Sequence, residues 1–275
     1  EQVPWTYGEG HLPHDHIDIL VPTSRPVIEL KSQPIGPVEQ AIARHAAAYI
    51  GDGTTLQMGI GAIPDAILQC ISDRRDLGLH SGMVSDAVVD LVERGVMTNA
   101  AKPFDKGVSV AGTLIGTNRL YKFAHLNRAI VLKPSQFTHG DAVLGQIPKL
   151  VAINSAVEVD LTGQVNAEQA GGEYVGGVGG QADYVRAGHR SPGGRSIIAL
   201  PATARGGKAS RIVYRFETGV TSSRSDADVI VTEFGAAELR GQPFAERARR
   251  MIAIAHPDFR HELEFAAHDL LKRGY

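Results

Sequence analysis

The chain has 275 residues, 43% of them hydrophobic and 21% charged, which is enough apolar material for a sizeable core and excludes a disordered or fibrous chain. Lys plus Arg number 28 and Asp plus Glu 30, a formal charge of −2, so no global positive field exists to hold nucleic acid and any phosphate ligand needs a local site. One cysteine, Cys70, excludes an internal disulfide and a Cys-rich zinc site and fits a reducing cytoplasm, while no apolar run approaches the roughly 18 residues that span a bilayer, so no membrane partner is expected.

Residues 1–37 hold Pro4, Pro13, Pro22, Pro26, Pro34 and Pro37 around one short apolar run, Ile17–Val21, and read as an extended arm with one edge strand. The arm starts at Glu1 with no initiator Met, as expected of a processed product or a piece of something longer. His11, His14 and His16 have no further partner at ligand spacing and read as solvated, so no metal is expected.

From Pro37 apolar residues recur at helical spacing to about residue 50, where Gly51-Asp-Gly ends the helix. A regular alternation follows: strand Thr55–Met58, helix Pro64–Ile71, strand Leu77–His80, helix Ser85–Arg94, strand Val108–Ile115, helix Asn118–His125 and strand Ala129–Leu132. Strands alternating with short helices predict an α/β fold with a mostly parallel sheet flanked by helices. Beyond residue 150, strands are expected at Leu150–Leu161, Ser196–Leu200, Arg211–Tyr214 and Val229–Thr232, separated by Gly-rich loops, and a helix from about Pro243 to Ala255.

In Leu150–Leu161, Val151, Ile153, Val157, Val159 and Leu161 share one face, while Asn154, Glu158 and Asp160 share the other. Alone, Glu158 reads as a solvent-facing carboxylate on a half-buried strand. About twenty residues on, Tyr174-Val-Gly-Gly-Val-Gly-Gly-Gln-Ala-Asp183 offers backbone N–H groups unobstructed by side chains, a surface able to hold a ligand carbonyl or phosphate beside such a carboxylate. The turn at Gly59-Ile-Gly61 superficially matches a dinucleotide loop, but Pro64 replaces the third glycine, and a plain strand-to-helix turn reads equally well.

Taken together, Leu56-Gln-Met-Gly-Ile-Gly-Ala-Ile-Pro, Ile153-Asn-Ser-Ala-Val-Glu-Val-Asp-Leu-Thr-Gly-Gln-Val-Asn, Gly176-Gly-Val-Gly-Gly-Gln-Ala-Asp, Val231-Thr-Glu-Phe-Gly and Ile254-Ala-His-Pro-Asp-Phe-Arg resemble the acetyl-CoA hydrolase/transferase family, its 4-hydroxybutyrate and butyrate:acetate CoA-transferases above all. The resemblance covers nearly all of the chain in order. It implies a CoA-transferase-like α/β domain at 37–275, the C-terminal one of two similar domains, with 1–36 the arm from an N-terminal domain that the chain lacks. It also implies Glu158 as the nucleophile toward an acyl-CoA thioester, with coenzyme A a substrate and no permanently bound cofactor. The carboxylate forms an acyl-glutamyl anhydride, the released thiolate returns to form a glutamyl-CoA thioester, and an incoming acid reverses the sequence.

The family pattern places one oxyanion donor near Ser135, Gln136, Phe137, Thr138 and His139 and another at Gly235, with Gly176, Gly177, Gly179, Gly180 and Gln181 flanking the thioester. Arg205, Lys208 and Arg211 are local cations for the CoA phosphates, or simply a solvated loop. Gly82 stands where the family commonly carries an acidic residue. The expected partners are an acyl-CoA, a short-chain carboxylate, the N-terminal domain of the same enzyme and further copies in a homo-oligomer. Three alternatives stay open: an acyl-CoA hydrolase sharing these motifs, a CoA-binding domain inactive without its partner domain, and an oxidoreductase resting on Gly59-Ile-Gly61.

Overall fold

The computed structural model describes residues 2–217 and 219–272. The first half runs β1 (Tyr7–Gly8), a 3-10 turn (His14–His16), α1 (Pro37–Ala47), β2 (Thr55–Met58), α2 (Ala62–Cys70), β3 (Gly78–Val84), α3 (Asp86–Glu93), β4 (Ser109–Leu114), α4 (Asn118–Ala124), β5 (Ile130–Leu132), the single turns α5 (Ser135–Thr138) and α6 (Asp141–Leu144), and β6 (Leu150–Asn154). Next come β7 (Glu158–Asp160), β8 (Val165–Asn166), β9 (Gln169–Ala170), β10 (Glu173–Tyr174), α7 (Gln181–Arg190) and β11 (Arg195–Ala199). The chain continues with β12 (Thr203–Ala204), β13 (Ala209–Ser210), β14 (Ile212–Val213), β15 (Val229–Thr232), β16 (Gly235–Glu238), α8 (Phe244–Ala253) and α9 (Pro257–Lys272).

One sheet in the order β1-β5-β4-β3-β2-β6-β11-β15-β16 carries the fold, parallel throughout except for the β15–β16 hairpin. Its inner strands are apolar on both faces because helices cover both. Val151, Ile153, Ile197, Ala199, Val229 and Val231 join α1, α2 and α3 in one core, while the alternate residues Ile198, Leu200 and Ile230 face α7, α8 and α9 in another. Helix α1 begins as its sequence dictates. Pro37 takes a first-turn position, Glu39 Oε2 accepts from the Gly36 N–H at 2.9 Å, and Ile42, Ala43, Ala46 and Ala47 are buried.

The order of winding reverses between β2 and β6, which pair in parallel with Met58 opposite Ile153. Gln57 and Asn154 exchange side-chain amide hydrogen bonds of 3.0 and 3.3 Å there, a buried reciprocal pair that fixes the register. Ligands of open α/β sheets bind beyond the carboxyl ends of strands at such a reversal. The Gly59-Ile-Gly61 turn, the chain after Asn154 and the β15–β16 turn all lie at that end.

Three expectations are corrected. Ile17–Val21 is no strand; Ile19, Leu20 and Val21 are exposed, and the β5 edge is taken by Tyr7 and Gly8. Leu150–Leu161 is not one strand but β6 and β7, in different sheets. All five β6 residues are buried, so β6 has no outward face for Glu158 and Asp160, and the chain leaves the sheet after Asn154. Of Arg211–Tyr214 only Ile212–Val213 is a strand, and it pairs with β7 outside the central sheet. Helices α7 and α9 and the short hairpins are additions to the sequence reading. The arm is tethered to α4, where Glu29 Oε2 accepts from the Asn118 N–H at 2.8 Å and the Ile28 carbonyl accepts from Tyr121 Oη at 2.8 Å.

Candidate active site

Glu158 opens β7 and stands directly opposite Asn166 of β8. The two strands are brought together by the turn at Asp160-Leu-Thr-Gly163, where Asp160 Oδ1 accepts from the Thr162 N–H, the Thr162 hydroxyl and the Gln164 N–H at 2.7–2.9 Å. Asn166 is fully buried and each of its side-chain atoms is engaged. Its Oδ1 accepts from the N–H groups of Glu168 and Gln169, and its Nδ2 donates to the Gln169 carbonyl at 2.8 Å and to Glu158 Oε1 at 2.9 Å. The amide is therefore fixed before it meets the carboxylate, and Glu158 is held in one orientation at a half-buried position.

Arg211 supplies the local positive charge. Its Nε donates to the Thr203 carbonyl at 3.2 Å and its Nη1 to the Val157 carbonyl at 3.1 Å, next to Glu158. Burial pushes the Arg211 guanidinium pKa down, and the negative charges of Glu158 and Glu233 oppose that shift, so one cation lies in the field of both carboxylates. Glu233 belongs to the two-residue turn between β15 and β16 and accepts from the Ala202 N–H at 2.8 Å. Gly235 follows as the first residue of β16, opposite Thr232. Arg211 thus parts from Arg205 and Lys208, which sit exposed at the tip of the β12–β13 hairpin.

The other expected residues gather at a cavity of about 430 Å³ lined by Ser135, Gln136, His139, Gly140, Gly179, Gly180 and Asp183. Phe137 and Thr138 turn inward instead: Phe137 packs on His80 and Phe104, and the Thr138 carbonyl accepts from Tyr184 Oη at 2.7 Å. Gly176 and Gly177 are exposed with nothing nearby, and Gln181 opens α7. Glu158 and Gly235 are not among this cavity's walls. Space at Gly82 is occupied by an imidazole, since a Cβ there would stand 2.7 Å from Cε1 and Nε2 of His139. Among the described residues, no group of three or more His, Cys, Asp or Glu is placed to hold a metal ion, and no helix is long and apolar enough to cross a membrane.

Asn166 and Glu233 were not picked out from sequence, and Arg211 was picked out only as a cation for the CoA phosphates or part of a solvated loop. The signal for Asn166 was present: Asp-Leu-Thr-Gly is a turn between alternating residues, and a hairpin through it sets Asn166 against Glu158.

Beneath α5 lies a buried polar layer. Lys102 is 1% exposed and donates to the carbonyls of Leu79 and Val108, and burial lowers its ammonium pKa to about 8. His80 is fully buried with neither ring nitrogen hydrogen-bonded. Burial first, and the Lys102 charge second, lower its pKa from 6.5 to about 4; the Phe137 and Thr138 backbone opposes this without forming a bond of ordinary geometry. A folded pKa below the unfolded one gives stability that is complete above pH 6.5 and is lost as pH falls toward 4, on the order of 3 kcal/mol across that window. Urea unfolding at pH 7 and pH 4.5 checks this. His80→Leu should lose less stability between the two than the parent chain, and equal losses would remove His80 as the source.

The sequence pattern of the acetyl-CoA hydrolase/transferase C-terminal domain matches residues 116–267. The 4-hydroxybutyrate coenzyme A transferase of Clostridium kluyveri is 43% identical over 265 residues, 96% of this chain and 62% of the relative. RipA from Yersinia pestis superposes with a TM-score of 0.90 at 39% identity, over 97% of this chain and 60% of its own. The 4-hydroxybutyrate CoA-transferase of Porphyromonas gingivalis superposes with a TM-score of 0.86 at 35% identity, over 100% and 65%. The chain spans about three-fifths of the length of the curated relatives it matches. More than half of its residues fall inside that pattern, and the chain belongs to the acetyl-CoA hydrolase/transferase family.

Proposed function

We propose that the chain is the nucleophile-bearing part of a CoA-transferase that moves CoA between a short-chain acyl-CoA and a carboxylic acid. The observation that carries this is Glu158, a carboxylate oriented by a fully engaged Asn166 in the field of Arg211 at the reversal end of a parallel sheet. A Glu158 oxygen attacks the thioester carbonyl, the C–S bond breaks, and CoA leaves as thiolate with an acyl-glutamyl anhydride behind it. The thiolate then attacks the Glu158 carbonyl and releases the first acid. The acceptor carboxylate attacks the resulting glutamyl-CoA thioester, and CoA returns once more to the new acyl group, which frees Glu158.

Each addition builds an oxyanion, and a backbone donor aimed at it contributes on the order of 3 kcal/mol. In this reading the Ser135–His139 turn and Gly235 supply those donors, Gly176 to Gln181 border the thioester, and Arg205 and Lys208 meet the phosphates. CoA is substrate, and no permanently bound cofactor takes part. The complete enzyme includes an N-terminal domain, assembles as a homo-oligomer and works in the cytoplasm. The transferase names of relatives near 40% identity favour CoA over a dinucleotide at Gly59 and Gly61.

The complete enzyme should show ping-pong kinetics. Incubation with acyl-CoA and no acceptor should leave a mass adduct on the peptide containing Glu158. Intersecting double-reciprocal lines without an adduct would favour a ternary complex. Steady CoA release in the absence of any acid acceptor would instead mark a hydrolase, in which water takes the place of the carboxylate.

A further inference from the structure

His139 occupies a slot built by two glycines from different elements. A Cβ on Gly82 of β3 would stand 2.7 Å from its Cε1 and Nε2, and a Cβ on Gly180 before α7 would overlap its Cδ2 and Nε2. Any other residue at either position displaces the ring. The Tyr184 ring lies 4.7 Å away between centroids, and its hydroxyl holds the Thr138 carbonyl, so α7 and the α5 turn are locked together around the imidazole.

The same turn engages the ring at Nδ1. Thr138 Oγ1 lies 2.8 Å from His139 Nδ1 and 3.4 Å from the Pro134 carbonyl, which already accepts from the Phe137 and Thr138 N–H groups at 2.9 and 3.0 Å. The 2.8 Å contact admits either direction; where the hydroxyl gives its proton to Nδ1, that of the neutral ring sits on Nε2. His139 lines the cavity shared by Ser135, Gln136, Gly179 and Asp183.

From this geometry, and resting on the CoA-transferase reading, we infer that the Thr138 hydroxyl donates to Nδ1 and that His139 serves as a neutral Nε2–H donor to a carbonyl oxygen of the bound acyl-CoA. The environment keeps it neutral. Burial lowers its pKa below the ordinary histidine value, opposed by the Asp183 charge, while Arg186, Arg190 and Asp141 share the adjoining cavity with it. A neutral imidazole donates to a developing oxyanion without surrendering its proton. The oxygen belongs either to the thioester or to a pantetheine amide, and kinetics separate the two.

The test compares His139→Ala with His139→Gln in the complete enzyme, each with a melting curve. A glutamine amide reaches the place of Nε2 and keeps a donor there, whereas alanine keeps none. Alanine should lower kcat/KM by about 100-fold or more, and glutamine should recover most of that loss. A fall in kcat identifies the thioester oxygen; a rise in KM with kcat unchanged identifies the amide. Nitrogen-15 spectra of histidine-labelled protein, assigned through the glutamine variant, should show Nδ1 unprotonated. Wild-type kinetics in the alanine variant, equal impairment in both variants, or a protonated Nδ1 would overturn the inference. Failure of the underlying reading looks different: the parent enzyme then forms no adduct on Glu158, while the spectra and the Ala-to-Gln comparison still judge His139.

Discussion

Glu158→Ala in the complete enzyme is expected to lower the transfer rate by on the order of 1,000-fold or more while CoA still binds, because in the proposed mechanism the carboxylate forms the covalent intermediate and the nucleotide is held by other residues. The fold should survive. Glu158 is half-buried at the start of a short strand, and the partner it releases, Asn166, keeps its bonds to Gln169 and Glu168. Initial rates together with CoA titration by calorimetry check both halves of the statement. A variant retaining more than a few per cent of the parent rate would move the nucleophile elsewhere, and the geometry says where to look. Asp160 is 2% exposed, and both its oxygens accept hydrogen bonds within its own turn, so it has no free edge to present. Glu168, half-buried and bonded to the Thr221 hydroxyl at 2.7 Å, is the better second candidate.

The elements that sequence made legible are those whose burial is uniform or strictly periodic. β2, α3, β4 and β15 show their pattern within their own residues, so 3.6 and 2.0 periodicities find them. What failed did so for identifiable reasons. β6 and β7 share an apolar face interrupted only at Ser155, yet a buried strand in a parallel sheet has no polar face, and that single break is where the chain changes sheet. Pro22 and Pro26 mark the arm as extended but cannot say which of its apolar residues reaches the sheet edge, and Tyr7 does so by pairing with Val131. At the candidate site, the glycine loop stood out by residue type and Glu158 by the family resemblance. Asn166 and Glu233 did not, because their roles come from partners eight and 31 positions away in sequence, across a hairpin and across a sheet.

The glycine pair at 179 and 180 gives the sharpest test of the cavity, since the two neighbours should fail in different ways. Gly180 has an ordinary negative φ of −95°, so alanine costs nothing in backbone there; its Cβ instead meets the His139 ring. The imidazole must leave its slot, and with it goes the donor at the cavity wall. Gly179 is the reverse case: φ is +55° and nothing in the protein lies within 4 Å of a Cβ built on it. Alanine there strains the backbone by about 1 kcal/mol and puts a methyl group beside the cavity proposed for the acyl-CoA. Gly180→Ala is therefore expected to lower kcat/KM by on the order of 100-fold, in step with His139→Ala and without adding to it when the two are combined. Gly179→Ala should act chiefly through KM and should add to His139→Ala. Both should melt within a few degrees of the parent, because the loop contributes few core contacts. Paired melting curves and initial-rate series on the single and double variants make the measurement. Wild-type kinetics in both glycine variants would remove the loop from the site, and full additivity of Gly180→Ala with His139→Ala would show that the slot and the donor are unconnected.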